Sequence, residues 1–174
     1  MNPLLYHPAE RESHFPSDHP LWKIAPASDH VLVEFERRTA CSLPSWLVGH
    51  LKIQNGGMVR SDYYDEDLSP SDIFSVILDP SDEAWLGAIQ PLPDWLERRG
   101  DFEDDPELLP ELARRYGDIS KLIVLYTDGH VFNMLDYRER PENPPVVYLD
   151  LEAGDGSIVT LAPSIEDLFL KPSA

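Results

Sequence analysis

The 174-residue sequence contains a single cysteine, Cys41, and lacks any long apolar run. One cysteine excludes an intrachain disulfide and permits a reducing compartment. No stretch approaches the roughly 18 consecutive apolar residues of a membrane-spanning helix. The segment Met1–Phe15 has no apolar core of the kind that a signal peptide needs. These absences predict a cytoplasmic protein.

Basic residues are also scarce, with 14 Lys and Arg against 32 Asp and Glu and a formal net charge of −18. Phosphate groups are bound by clustered Lys and Arg, so the composition argues against nucleic acid and membrane partners. An acidic surface attracts cationic proteins and raises their encounter rate. Because a strongly acidic surface can also serve only to keep a protein soluble, the net charge by itself does not identify a partner.

Catalytic motifs are absent as well. The sequence has no Gly-x-Ser-x-Gly elbow, no P-loop and no Rossmann glycine fingerprint. Cys41 has apolar neighbours, which favours a buried structural thiol over a nucleophile. His7, His14 and His19 are not spaced to share one helix face, which disfavours a zinc site there. We expect no enzyme, no catalytic residue, no metal and no cofactor.

One carboxylate-rich stretch leaves an alternative open. The carboxylates of this stretch superficially resemble a cation-binding loop, but they lack the residue order of an EF-hand: Asp62, Asp65, Glu66, Asp67 and Asp72. A cation-dependent hydrolase that uses these carboxylates is therefore the alternative from a different functional class, and binding of calcium, magnesium or manganese would support it.

Apolar periodicity and turn signals predict an α+β fold. Helices are expected at residues 28–40 and 44–54, and another ends at Gly117 and starts no earlier than Pro110. Two hairpins follow, the first with a two-residue turn at Asp128-Gly129, and a short helix closes the chain. We divide the chain into an irregular N-terminal arm (1–27), one domain (28–170) with a variable helical and acidic insertion (79–118), and a tail (171–174).

Two acidic blocks interleaved with aromatic residues are the candidate partner-binding surface. Aromatic rings supply binding energy, and carboxylates steer a cationic partner. The candidate residues are Asp62, Tyr63, Tyr64, Asp65, Glu66, Asp67, Trp95, Asp101, Phe102, Glu103, Asp104 and Asp105. Solvated loops would show the same composition.

Several short motifs occur in an order that resembles the SUKH superfamily, which includes bacterial immunity proteins and yeast cell-wall assembly regulators. Phe35-Glu36, Leu43-Pro44-x-x-Leu47 and Asn55-Gly56-Gly57 resemble its opening. Asp136-Tyr137 and the closing segment 161–169 are similar to its C-terminal part. The resemblance covers about residues 28 to 170 and is weakest between 79 and 118.

This resemblance implies a strongly bent, mostly antiparallel sheet with an N-terminal helix pair and a C-terminal helix packed around it. It implies a protein-binding function, most specifically the neutralisation of a protein toxin, often a nuclease. The acidic composition fits a cationic toxin domain. A regulator or scaffold for an endogenous partner is the alternative. The motif residues are then expected to serve the fold: Leu43, Pro44, Leu47, Asn55, Gly56, Gly57, Asp136 and Tyr137.

Overall fold

The computed structural model describes residues 26–53, 55, 57–58, 73–74, 89–99, 107–127, 129–152 and 156–169. The helices are α1 (Asp29–Thr39), α2 (Ser45–Leu51), α3 (Leu92–Arg99), α4 (Leu108–Tyr116) and α5 (Ile165–Phe169), with a 3₁₀ turn at Ile119–Lys121. The strands are β1 (Gly57–Met58), β2 (Ile73–Phe74), β3 (Gln90–Pro91), β4 (Leu122–Thr127), β5 (Val131–Asp136), β6 (Val146–Asp150) and β7 (Val159–Ala162). The predicted α+β class is confirmed.

The principal sheet is an antiparallel arrangement of five strands in the order β3-β4-β5-β6-β7. Strands β4 to β7 therefore pair in the order in which they occur in the chain. Two residues interrupt the ladders: the register shifts at Leu125 in β4 and at Leu161 in β7. Such one-residue bulges bend a strand and increase its local twist. Strands β1 and β2 form a separate antiparallel pair.

Both faces of the principal sheet carry a hydrophobic core. Alternation along a strand sends successive side chains to opposite faces, so Ile123 and Leu135 pack with α1, α2 and α5. Leu122, Phe132 and Met134 pack on the other side with α3 and α4. We call these sides the α1 face and the α3 face. This double coverage explains why β4 is apolar almost throughout instead of alternating.

The helix ends follow local hydrogen-bonding chemistry. Ser28, the first residue of the predicted helix at 28–40, caps α1 by accepting the Val31 N–H at 3.3 Å. Helix α2 was predicted to continue to residue 54 but ends at Leu51. The Leu51 carbonyl accepts the Ala27 N–H at 2.8 Å, so it is already occupied by a residue from outside the helix.

Two further predictions about boundaries were wrong. Helix α4 begins at Leu108, so Pro110 lies inside its first turn, where a backbone N–H has no intrahelical partner to lose. A two-residue turn at Asp128-Gly129 would place Thr127 opposite His130, but Thr127 pairs with Phe132, so the turn does not lie where it was predicted. Gly129, between the two strands, has φ of 121°, a conformation that glycine adopts readily.

Candidate interaction surface

Trp95 was predicted to contact a partner, and the structure contradicts this. Its side chain is 3% exposed and meets the Phe132 ring edge to face, with 5.0 Å between ring centroids. A ring enclosed in the α3-face core contributes to stability and cannot reach a partner. The other predicted contact residues (62–67 and 101–105) lie outside the described residues, so their role stays a prediction.

The opening motif contributes to the fold in the parts that the structure describes. Leu43 and Leu47 are buried in the core of the α1 face, and Asn55 is buried beyond the end of α2. Pro44 lies at the N-cap of α2, and its carbonyl accepts the Val48 N–H at 3.0 Å. Gly57 begins β1, opposite Phe74, whereas Gly56 is outside the described residues.

Asp136 works together with Arg138, a residue that the motif did not indicate. The Arg138 guanidinium donates to both Asp136 carboxylate oxygens, at 2.8 and 2.6 Å, and to the Tyr116 carbonyl at 2.6 Å. Burial raises the pKa of Asp136, but the hydrogen bonds and charge of Arg138 outweigh it and leave that pKa lowered. The pair therefore attaches the end of β5 to the C-terminal end of α4.

Tyr137 makes the equivalent attachment on the opposite face. Its hydroxyl donates to the Ser42 carbonyl at 2.7 Å, in the segment between α1 and α2. Burial raises the pKa of Tyr137, so it stays a neutral donor. Asp136, Tyr137 and Arg138 thus hold the two helical layers to one strand end, which is a structural role.

Cys41 is buried, as predicted. The Lys121 ammonium approaches its sulfur at 3.8 Å and the Ala40 carbonyl at 3.4 Å. Burial raises the pKa of Cys41 despite the opposing charge of Lys121. The neutral thiol is a poor nucleophile, so the local environment does not suit covalent catalysis.

A cross-strand row of four residues forms the candidate interaction surface. Tyr126 pairs with Asn133, Asn133 with Tyr148, and Tyr148 with Val159. Asn133 lies two residues before Leu135 on β5, so this tyrosine row is on the α1 face. Its members belong to neither core cluster of the described residues, and Val159 is 49% exposed. Helices α1, α2 and α5 thus cover one end of this face, and the tyrosine row crosses the other.

Asn133, at the centre of the tyrosine row, has an unusual side-chain environment. Its side-chain oxygen is enclosed and accepts no hydrogen bond from the described residues. A buried amide oxygen normally has a donor, because leaving it without one costs about 1–3 kcal/mol. Tyrosine and asparagine are also common in protein-recognition surfaces, where rigid rings contribute area and amides contribute adaptable hydrogen bonds. Tyr126, Asn133 and Tyr148 are half-buried, so a partner would reach only their exposed parts and Val159, and the row contains no nucleophile–base pair.

Sequence reasoning missed this surface for an identifiable reason. Composition identifies Tyr126 and Tyr148 as strand-forming residues, and only the strand register brings them to either side of Asn133. The signal in the sequence was that β4, β5 and β6 each carry a polar or aromatic residue among the side chains that point to the α1 face. The bulge at Leu125 shifts the register of β4 by one residue, so the pairing of Tyr126 with Asn133 could not be predicted without knowing of it.

Other functional classes find no support in the described part of the chain. No group of three or more His, Cys, Asp or Glu side chains is placed there to hold a metal ion. No helix in the same part of the chain is long and apolar enough to cross a membrane. The carboxylate stretch 62–72 and His7, His14 and His19 lie outside the described residues.

Comparison with known proteins gives one finding on relationship. The family model described as SMI1 / KNR4 family (SUKH-1) matches residues 26–171. The match includes both helical layers, the whole principal sheet and the tyrosine row. No curated protein matches the chain in sequence.

Proposed function

The chain belongs to the SMI1 / KNR4 family (SUKH-1), and from this premise we propose that it is a non-catalytic protein-binding domain that neutralises a cationic toxin domain by direct binding. The family supplies the expectation of protein binding. The observation that carries the proposal is the combination of the tyrosine row with a net charge of −18. A nuclease is a suitable toxin, because acidic side chains can occupy a phosphate-binding face.

The charges of the described residues favour a basic partner over an acidic one. Several cations are already engaged with carboxylates: Lys52 with Asp29 at 2.6 Å, Arg37 with Glu34 at 2.6 Å and Arg138 with Asp136. The large excess of carboxylates over these cations leaves a negative field around the domain. Such a field accelerates encounter with a cationic protein and repels nucleic acid.

The test begins with the full chain as bait in extracts of the source organism, followed by mass spectrometry. The captured protein is then expressed alone and with this chain. We expect growth inhibition by the captured protein alone, and rescue when both are present. A captured housekeeping protein that causes no inhibition would instead identify a regulator or scaffold and would overturn toxin neutralisation.

A surface variant distinguishes specific from non-specific capture. Tyr148→Ser is expected to weaken binding by at least about tenfold if the tyrosine row lies in the interface. Ile53→Ser is the matched control, because Ile53 is 58% exposed and lies outside the row. Equal affinity of both variants, with unchanged thermal unfolding, would place the interface elsewhere on the domain.

A further inference from the structure

We infer that the outer edge of β7 is a strand-addition site for an extended, basic segment of a partner protein, an inference that rests on the proposed protein-binding function. Strand β7 is the last strand of the principal sheet, with β6 as its neighbour. An edge strand turns alternate N–H and C=O groups outward, where they pair with an added strand.

The two edges of the sheet differ. At one edge, β3 has only two residues, one of them Pro91, and α3 begins directly after it. A short strand containing proline is a poor template for pairing. At the other edge, no residue described by the structure donates to or accepts from the outer side of Val159, Thr160 or Leu161. Of the two edges of the principal sheet that the structure describes, the β7 edge is therefore the one suited to pairing.

The composition of β7 is also unusual for an edge. The run Ser157-Ile158-Val159-Thr160-Leu161-Ala162 has no charged residue, in a protein of which 26% of residues are charged. Natural edges are commonly protected by charged side chains, proline or bulges. Here the bulge at Leu161 protects only the C-terminal half, and the exposed pair Val159 and Thr160 remains in regular register with β6.

The expected occupant is an extended basic segment because of the surrounding charges. Exposed carboxylates flank the strand in the sequence, Glu152 before it and Glu166 after it. Arg140, which donates to the Pro163 carbonyl at 3.5 Å, is the opposing positive charge at the second end. A second copy of the chain is a poor occupant, since each copy carries a net charge of −18.

Pairing at this edge would lengthen the tyrosine row by one position. A residue that pairs with Val159 points to the α1 face, as Val159 and Tyr148 do. The incoming side chain would then pack beside Val159 in line with Tyr126, Asn133 and Tyr148. Main-chain bonds would supply the pairing, and this side chain would supply selectivity.

A displayed library of random peptides tests the inference without a known partner. Peptides about 10 residues long, enough to span an ordinary strand, are selected on the immobilised full chain. We expect enrichment of alternating β-branched residues with Lys or Arg. Each selected peptide is then synthesised in two N-methylated forms that block opposite sets of alternate N–H groups. One form should lose at least about tenfold in affinity and the other should not, because only alternate groups face β7.

Matched substitutions locate the site. Val159→Lys should weaken peptide binding at least about tenfold, because an edge lysine blocks strand pairing. Val33→Lys adds the same charge at a residue that is 63% exposed on α1, and it should leave affinity unchanged. Val159→Ser replaces Val159→Lys if thermal unfolding shows that the lysine variant does not fold.

Three results would overturn the inference. These are equal binding of both N-methylated forms, full affinity of the Val159 variants, or dimerisation of the chain that Val159→Lys abolishes. The proposed function fails separately. If Val159→Lys neutralises a toxin as well as wild type does, toxin neutralisation stands and the strand-addition site is wrong. If peptides bind at the β7 edge but no toxin is neutralised, the strand-addition site stands and toxin neutralisation is wrong.

Discussion

At the scale of single residues, Arg138 joins elements that are distant in the sequence. It contacts Asp136 on β5 and the Tyr116 carbonyl at the end of α4, and both charged side chains are partly buried. Arg138→Met should lower the free energy of unfolding by about 2 kcal/mol, because Asp136 would keep a charge without its partner. Urea denaturation measures this difference.

The double variant Asp136→Asn/Arg138→Met provides the control for that prediction. Removing both charges together avoids the isolated carboxylate, so part of the lost stability should return. Equal losses in the single and double variants would show that the packing of the arginine stem, and not the ion pair, is what matters.

His50 should make the domain sensitive to mild acid. It is 6% exposed and lies 4.3 Å from the Trp46 ring, centroid to centroid. Burial lowers the pKa of His50 below its ordinary value, so the folded state favours the neutral ring. The unfolded chain then takes up the proton first. Stability is complete above about pH 6.5, the usual histidine pKa, and falls as the pH drops from there through the folded pKa.

The measurement compares the free energy of unfolding above and below the usual pKa of histidine. Wild type should lose more stability than His50→Gln when the pH is lowered from about 7.5 to about 5.5. His30→Gln, at an exposed site on α1, is the matched control and should behave like wild type. The same pH dependence in all three proteins would assign the acid sensitivity to carboxylates.

At the scale of elements, two glycines should respond in opposite directions. Gly156, before β7, has φ of 48°, and its carbonyl accepts a hydrogen bond from the Tyr116 hydroxyl. A Cβ there would lie 2.9 Å from Arg115 Nη1 and 3.1 Å from the Tyr116 hydroxyl. Gly156→Ala should cost about 1–3 kcal/mol, from backbone strain and crowding. Thermal unfolding detects the loss, and an unchanged midpoint would contradict the close approach.

Gly49 offers the contrasting case within α2. It is exposed, it lies inside the helix, and a Cβ would meet nothing within 4 Å. Gly49→Ala should raise the free energy of unfolding by about 0.5–1 kcal/mol, because alanine loses less backbone entropy on folding. Thermal unfolding of both variants in one experiment should show a gain in stability for Gly49→Ala and a loss for Gly156→Ala. A destabilised Gly49→Ala would mean that α2 is not a regular helix there.

Sequence patterns predicted the elements better than their ends or their contacts. Ser28 and the apolar residues of α1 are local signals, and the helix formed where they indicated. The end of α2 depends on Ala27, which no window centred on α2 includes. Trp95 was predicted to contact a partner because it was grouped with the two acidic blocks, but tertiary packing against Phe132 buries it. The tyrosine row depends on register across strands, which composition does not specify.

At the scale of the whole molecule, the net charge of −18 should weaken the fold at low ionic strength. Like charges repel in the compact state, and raising salt from about 10 to about 100 mM shortens the Debye length from about 30 to about 10 Å. The melting temperature should therefore rise over this range by differential scanning fluorimetry. No change would mean that the carboxylates are already far enough apart.

The choice of salt also tests the cation-loop alternative. Screening depends on ionic strength, so NaCl, KCl and CaCl₂ at matched ionic strength should raise the melting temperature equally. An additional rise with calcium alone would indicate specific binding to the folded state. That result would support the carboxylates of 62–72 as a cation site.

The order of strands β4 to β7 has a consequence for how the chain reaches its native state. These strands pair with their sequence neighbours, so each closes only a short loop. The bond from Tyr137 to Ser42 spans 95 residues, and that from Lys121 to Ala40 spans 81. We therefore expect the β4–β7 meander to nucleate folding and the α1–α2 pair to dock afterwards. Tyr137→Phe should accordingly speed unfolding in stopped-flow experiments and leave the folding rate nearly unchanged, whereas Val147→Ala should slow folding.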